Sequence, residues 1–354
     1  MQILGTKNER ITSIDIIRGL AIMGIFLINI QSFIIEGGQE VLNISKMDEW
    51  GYRIIEMFAL GKFHFIFAFL FGIGSSIFLS RLASKEASVW IYVRRMAFLL
   101  LAGALHTMMW GGDVLMTYAV MGLSLLIFYR LPIKLIFVFG IFFSVVYDFY
   151  SVFHEAIRIY GWDLPTVLFN VDTSINNMIG ILMLPKTLGH MLLGFSVYRM
   201  GLLEKEEYIP TITKVFGGMF FCSVVIWGWS LTIKAESFLH AVTFQLAIIP
   251  GMMYVLGLIL LLRTNVSAKL LSPLESYGRM AFTNYITQTV IGITVVKWIV
   301  TNHKLIFLET LFICLIVFIV QIFLSNAWLK AYRFGPLEWL WRCGTYWKIQ
   351  SIKK

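Results

Sequence analysis

His106 and Asp113 are the pair in this chain whose types and spacing suit general-base chemistry. An imidazole within reach of a carboxylate can take a substrate proton at one ring nitrogen, while the carboxylate fixes the tautomer and supports the imidazolium that forms. A helix continued through Gly111 and Gly112 would stack the two residues on one face, two turns apart. The alternative is structural: His106 caps a neighbouring helix and Asp113 opens the next one as its N-cap. His64 is a second candidate base, or else a hydrogen-bonded interior imidazole. Lys62, two residues earlier, either serves that site or snorkels to a membrane surface.

Nearer the start, Asp15, Arg18, Ile22, Ile25 and Asn29 recur at three- and four-residue intervals, which places them on one helix face. Either Arg18 faces an anionic ligand with Asp15 orienting it, or the two form an intrahelical ion pair at an interface. Asn284 and Gln288 share a face at i, i+4, just beyond Arg279, and hydrogen bonding between helices accounts for them as well as a ligand does. Pro185, followed by Lys186, His190 and Gly194, marks a broken helix that lines a cavity or a simple kink. The chain has no HExxH, P-loop or GxSxG motif. Cys222, Cys314 and Cys343 are too far apart for a ligand pattern or a disulfide framework, so no metal is expected.

The elements that must position these groups follow from composition. Hydrophobic residues make up 58% of the 354 positions and charged residues 14%, whereas roughly a quarter of a soluble chain is charged. The charges lie in short clusters between apolar runs of about 20 residues, each long enough to cross a hydrocarbon core of about 30 Å. In lipid such runs satisfy their backbone polar groups as helices. An all-α integral membrane protein is therefore expected, with residues 1–354 forming a single polytopic membrane domain. Ten transmembrane helices are read near 14–34, 54–80, 90–111, 113–130, 133–150, 174–199, 213–233, 239–262, 280–300 and 305–328. The first run carries Asp15 and Arg18 and lacks a small-residue cleavage site, so it is expected to be retained.

Charge patterning gives the orientation. Clusters such as Arg81, Lys85, Arg94 and Arg95, then Arg130 and Lys134, alternate with cation-poor segments holding Glu36, Glu40, Asp48 and Glu49, or Asp148, Glu155, Asp163 and Asp172. By the positive-inside rule both termini are expected in the cytoplasm. The net charge of +9 follows from that topology, so the lipid bilayer is the expected partner and nucleic acid is not. Trp50, Trp110, Trp162, Trp298, Trp328 and Trp339 fall near span ends, where indoles favour the headgroup layer. The external segment 148–173 lies on the membrane or covers a cavity.

Several stretches resemble the YeiB-like family of bacterial membrane proteins: RITSIDIIRGLAIMGIFLINI at 10–30, GKFHFIFAFLFGIG at 61–74, RRMAFLLLAGALHTMMWGGDVLMTYAVMG at 94–122, GRMAFTNYITQTVI at 278–291 and FGPLEWLWRCGTY at 334–346. That family looks like a branch of a transmembrane acyltransferase superfamily whose animal relatives include heparan-α-glucosaminide N-acetyltransferase. The resemblance implies a bacterial plasma-membrane protein that transfers an acyl group, acetyl above all, from cytoplasmic acyl-CoA to an acceptor outside. Arg18, Arg94, Arg95 and Arg279 would then hold the CoA phosphates, since a planar guanidinium donates two hydrogen bonds at once. His64 and His106 would face the acceptor. The animal enzymes place a catalytic His between the first two spans, and residues 35–53 here contain none. Either the base has moved to His106, or the branch no longer transfers acyl groups.

The leading expectation is thus a membrane-bound acyltransferase. His106, supported by Asp113, deprotonates a hydroxyl or amine of a small molecule or cell-envelope glycan, and Asn29 or Lys62 stabilises the oxyanion. The rivals are a proton-coupled small-molecule transporter using Asp15, His106 and His190, and a non-catalytic membrane scaffold. The sequence also permits a homodimer.

Overall fold

A computed structural model of the chain describes residues 7–38, 45–160, 174–202, 205–232 and 246–354. Among them the chain is helical without a strand, and one isolated β-bridge joins Tyr332 to Lys353. The helices are α1 Lys7–Glu36, α2 Lys46–Phe58, α3 Lys62–Ser84, α4 Trp90–Thr107, α5 Leu115–Phe128, α6 Ile133–Tyr160, α7 Ser174–Arg199 and α8 Ile209–Thr232. After these come α9 Ile248–Leu261, α10 Asn265–Leu271, α11 Pro273–Arg279 and α12 Ala281–Ile291. A π turn, Gly292–Val296, leads into α13 Lys297–Asn302, and α14 Phe307–Ala331 and α15 Pro336–Tyr346 complete the order. The start of the span expected at 239–262 and residues 161–173 of the external segment lie outside the described residues, as does Trp162.

Among the described residues, some of the apolar runs form membrane-length helices. Thr12–Glu36, Lys46–Ser84, Glu206–Leu231 and Phe307–Ala331 are long and apolar enough to cross a bilayer, and α9 with α10 adds a fifth crossing if that pair, bent by 111°, is one span. Leu115–Phe128 and Ile133–Val146 are apolar but shorter. The stretch Lys46–Ser84 has 39 residues; at about 1.5 Å each they would reach almost twice the roughly 30 Å of hydrocarbon. The excess is taken up by a break at Gly61, whose φ of 78° suits a residue without Cβ. Before that break, α2 is amphipathic, burying Tyr52 and Ile55 and exposing Met47, Trp50, Ile54 and Phe58. The span expected at 54–80 is therefore α3, entered from a separate surface helix. Trp110 also differs from expectation. It is buried, packed on Phe33 at 4.9 Å and hydrogen-bonded through Nε1 to Glu36 at 3.1 Å.

α1 and α3 run through the middle of the bundle, where glycines set how closely their neighbours approach. A Cβ on Gly72 would collide with the Met191 carbonyl, and one on Gly194 with the Phe69 carbonyl, so α3 and α7 touch backbone to backbone. This is the seam that small residues make possible in membranes. Gly278 and Gly19 do the same for α11 and α1. A Cβ on Gly278 would strike the Asp15 carbonyl, and one on Gly19 would lie 2.8 Å from the Leu274 carbonyl. That contact brings Arg18 and Arg279, each the chain neighbour of one of these glycines, to the same end of the bundle.

The C-terminal helix closes that end. Pro336 starts α15 at its first turn, where a missing N–H costs nothing. Glu338 then caps α12: Oε1 accepts the Phe282 and Thr283 N–H groups at 2.7 and 3.1 Å, and Oε2 accepts the Thr283 hydroxyl at 2.6 Å. Trp341 donates its indole N–H to the Arg95 carbonyl at 2.8 Å, tying α15 to α4.

Two expected outcomes test this packing. Gly278→Val should destabilise the protein by more than the roughly 1–3 kcal/mol of ordinary core overpacking, because the obstacle is backbone. A thermal unfolding midpoint in detergent equal to that of the wild type would contradict the close approach. Burial raises the Glu338 carboxyl above its ordinary value near 4.5, although the Thr283 and Phe282 donors pull the other way. Folding therefore favours the protonated form, so this contribution is complete below the ordinary value and is lost as pH rises through the raised one. Glu338→Gln, neutral throughout, should flatten the fall in the midpoint that sets in as pH rises above the ordinary value near 4.5. An unchanged slope would contradict it.

Candidate functional site

A partly open cavity of about 260 Å³ lies where α1, α3, α4, α5, α11, α12 and α15 converge. Arg18, Arg95, Arg279 and Arg342 line it, with aromatic walls from Phe67, Phe71, Tyr118, Phe282, Tyr285, Phe334 and Trp341. Its floor is open at Gly74, where an added Cβ would meet nothing within 4 Å.

The four guanidiniums are held by different devices. Arg18 donates to Asp15 at 2.6 Å from the preceding turn of α1. Arg279 lies 3.8 Å from Glu275 and donates to the Arg333 carbonyl at 3.3 Å. Arg95 stacks over Trp341 at 3.7 Å and over Phe78 at 5.0 Å, and Arg342 stacks over Phe334 at 4.1 Å. Aromatic faces steady a cation without neutralising it. Arg95 lies within electrostatic range of both Arg342 and Arg18, so like charges are gathered here. Burial lowers the pKa of Arg342, and its Nε is buried without a hydrogen-bond partner. Glu338, the carboxylate in the wall, is engaged in capping α12. The cavity is therefore an excess of positive charge with unsatisfied donors, which is what phosphate groups fit.

His106 and Asp113 meet at the other end. α4 stops at Thr107 and a turn through the two glycines brings Asp113 back, so the pair is made by a turn and not by one continued helix. His106 Nδ1 and Asp113 Oδ1 are 2.7 Å apart. Asp113 Oδ2 accepts the Met116 N–H at 3.1 Å, so Asp113 supports the imidazole and also caps α5. The His106 ring is buried, and its Nε2 has no hydrogen-bond partner. Tyr285 packs edge-on against it with ring centres 5.3 Å apart, while Tyr285 also lines the cavity. Leu115, two residues after Asp113, lines it too. The dyad thus stands directly behind the cavity wall.

Of the residues expected from the sequence, Arg18, Arg95 and Arg279 face the cavity, and Asp15 holds Arg18. Arg94 is not among the lining residues; one position before Arg95 on α4, it points about 100° away. Asn29, Lys62 and His64 are also away from this wall. Asn284 and Gln288 belong to a buried network that binds α12 to α14. Asn284 donates to the Tyr277 carbonyl at 3.0 Å and Ser325 at 3.1 Å, and Gln288 donates to the Tyr277 hydroxyl at 2.8 Å and Gln321 at 3.2 Å. Among the described residues no group of three or more His, Cys, Asp or Glu could hold a metal. Arg342, Trp341 and Tyr285 are additions that the sequence reading did not single out. The signal for the first two was present: Glu338, Trp341 and Arg342 follow Pro336 at helical i, i+3, i+4 spacing.

Comparison with known proteins places the chain in a family. Residues 197–348 match the model described as "Protein of unknown function (DUF418)". Over 350 residues the chain is 31% identical to an "Uncharacterized 39.9 kDa protein in amylase 3'region" of Bacillus acidopullulyticus, covering 96% of this chain and 94% of the relative. It is 28% identical to the uncharacterized protein YxaH of Bacillus subtilis (strain 168), covering 98% and 97% of the two chains. To the uncharacterized protein YeiB of Escherichia coli (strain K12) it is 27% identical, covering 94% and 96%. No solved structure matches it. Likeness along nearly the whole length, with the DUF418 match over the part that carries α11, α12 and α15, shows that the chain belongs to the YeiB-like family of membrane proteins.

Proposed function

We propose that this protein is a membrane-bound acyltransferase that moves an acyl group, acetyl above all, from cytoplasmic acyl-CoA to a hydroxyl or amine acceptor outside the membrane. The observation that carries the reading is one cavity with an arginine mouth at one end and the His106–Asp113 dyad behind the wall at the other. The topology that goes with it has ten spans in the bacterial plasma membrane and both termini in the cytoplasm, so that the arginines face the cytoplasm. The resemblance to transmembrane acyltransferases supports the same direction of transfer.

In this scheme Arg18, Arg95, Arg279 and Arg342 hold the donor's phosphates. Asp113 accepts a hydrogen bond from His106 Nδ1–H, which leaves Nε2 as the base. His106 takes the acceptor's proton as the acceptor oxygen or nitrogen bonds to the thioester carbonyl carbon. It then gives that proton to the departing CoA thiolate as the carbon–sulfur bond breaks. Tyr285, against the imidazole, keeps the ring oriented and separates it from the mouth.

His106→Ala should abolish CoA-dependent modification of the acceptor while leaving acetyl-CoA binding near wild type, with a lower unfolding midpoint because Asp113 loses its buried partner. Removal of a general base typically slows a step by about 10²–10⁴-fold; full retained activity would contradict the role.

A second reading, a proton-coupled transporter, draws on the ion pair between Lys186 and Asp148, 2.5 Å apart and joining α7 to α6. Reconstituted liposomes separate the two: solute uptake independent of CoA supports transport, and CoA-dependent acceptor modification supports transfer.

A further inference from the structure

A second group of buried and half-buried polar side chains stands at the N-terminal end of α3, outside the lining of the arginine cavity. Lys62 and His64 begin α3, Asp148 comes from α6, and Lys186 and His190 come from α7 one turn apart. Lys186 binds this group together: it is ion-paired with Asp148 and is an electrostatic neighbour of Lys62, His64 and His190. Gly194 and Gly72 bring α7 onto α3, which is why residues so distant in sequence share this place.

Two of these groups, Lys62 and His190, keep unused capacity. Lys62 is 3% exposed, and its ammonium, which has three donors, has one acceptor among the described residues, the Glu56 carbonyl at 3.3 Å. Glu56 is also an electrostatic neighbour of Lys62. His190 is 6% exposed, held edge-on by Phe65 at 4.8 Å, and its Nε2 is buried without a partner. Asp148, the carboxylate among the five, is engaged by Lys186. Lys62 Nζ and His190 Nε2 thus keep unused hydrogen-bonding capacity in a region where an unsatisfied ammonium is costly.

We infer that Lys62, His64, Lys186 and His190 form a second anion site, separate from the arginine cavity, that takes the carboxylate or phosphate group of a small molecule. The oxyanion supplies the acceptors that Lys62 Nζ and His190 Nε2 lack. Asp148 holds Lys186 in position, and Phe65 fixes the plane of the His190 ring. His64 is anchored from the other side, because its backbone carbonyl accepts the Tyr118 hydroxyl at 3.3 Å, and Tyr118 also lines the arginine cavity. The two sites are neighbours along α3 and share that tyrosine. The inference does not depend on acyl transfer.

The test uses the full chain in detergent, with inorganic phosphate and acetate as probes at constant ionic strength and the unfolding midpoint as the readout. In the wild type the midpoint should rise with at least one of the two anions. In Lys62→Met and in His190→Phe, which keeps a ring against Phe65, the concentration giving half the rise should increase by about tenfold or more, the size of one charge-assisted hydrogen bond. In Arg18→Ala the rise should persist. If Lys62→Met does not fold, His190→Phe decides. Absence of a rise with either anion, an unchanged rise in the decisive variants, or a rise lost only in Arg18→Ala would overturn the second site.

Discussion

Four guanidinium groups facing one cavity repel each other, and much of the architecture exists to hold them there. Arg18 and Arg279 are brought to one place by the contact of Gly19 and Gly278, where the backbones of α1 and α11 nearly touch. Arg95 and Arg342 are steadied by aromatic faces that leave their charge intact. α15 supplies Arg342, caps α12 through Glu338 and clamps α4 through Trp341. If the cations served stability alone, carboxylates would face them one for one. Instead Asp15 balances Arg18, Glu275 lies at the long distance of 3.8 Å from Arg279, and Glu338 is engaged elsewhere. The imbalance is what supports the proposal of an anionic ligand for the cavity.

The polar groups fall into three classes that look alike in the sequence. Asn284, Gln288, Tyr277 and Gln321 satisfy each other and join helices. Arg342 lines the cavity and His106 stands behind its wall, and each is held firmly with one buried nitrogen, Nε and Nε2 respectively, left without a partner. Lys62 and His190 are buried with fewer partners than their chemistry allows. Free capacity in a well-held side chain distinguishes a binding group from a structural one, because in a membrane interior every unused donor raises the energy of the folded chain.

How much of this was legible in the sequence depends on the distance over which the interaction acts. The helical class followed from apolar runs and their length. The Asp15–Arg18 pair was legible because three residues span less than one helical turn, and His106–Asp113 because both lie in one short segment. The way the latter pair meets was not, since a turn and a continued helix give the same spacing. The separation of α2 from α3 was hidden because the largely apolar stretch from Ile54 to Leu60, at the end of α2, runs on into that of α3 with only Gly61 and Lys62 between. Convergence of Arg342 with Arg18 needs the whole bundle, and no local pattern carries it. Asn284 and Gln288 had the spacing of ligand-facing residues, but Tyr277, Ser325 and Gln321 claim their amides.

The most direct measurement is the equilibrium affinity of detergent-purified protein for acetyl-CoA, compared with that of Arg18→Ala. If the arginine cavity holds the donor's phosphates, wild type binds and the variant binds about tenfold more weakly or worse, as expected for a lost charge-assisted contact. Equal affinity in the two proteins, or no binding by a wild type shown to be folded, would contradict it.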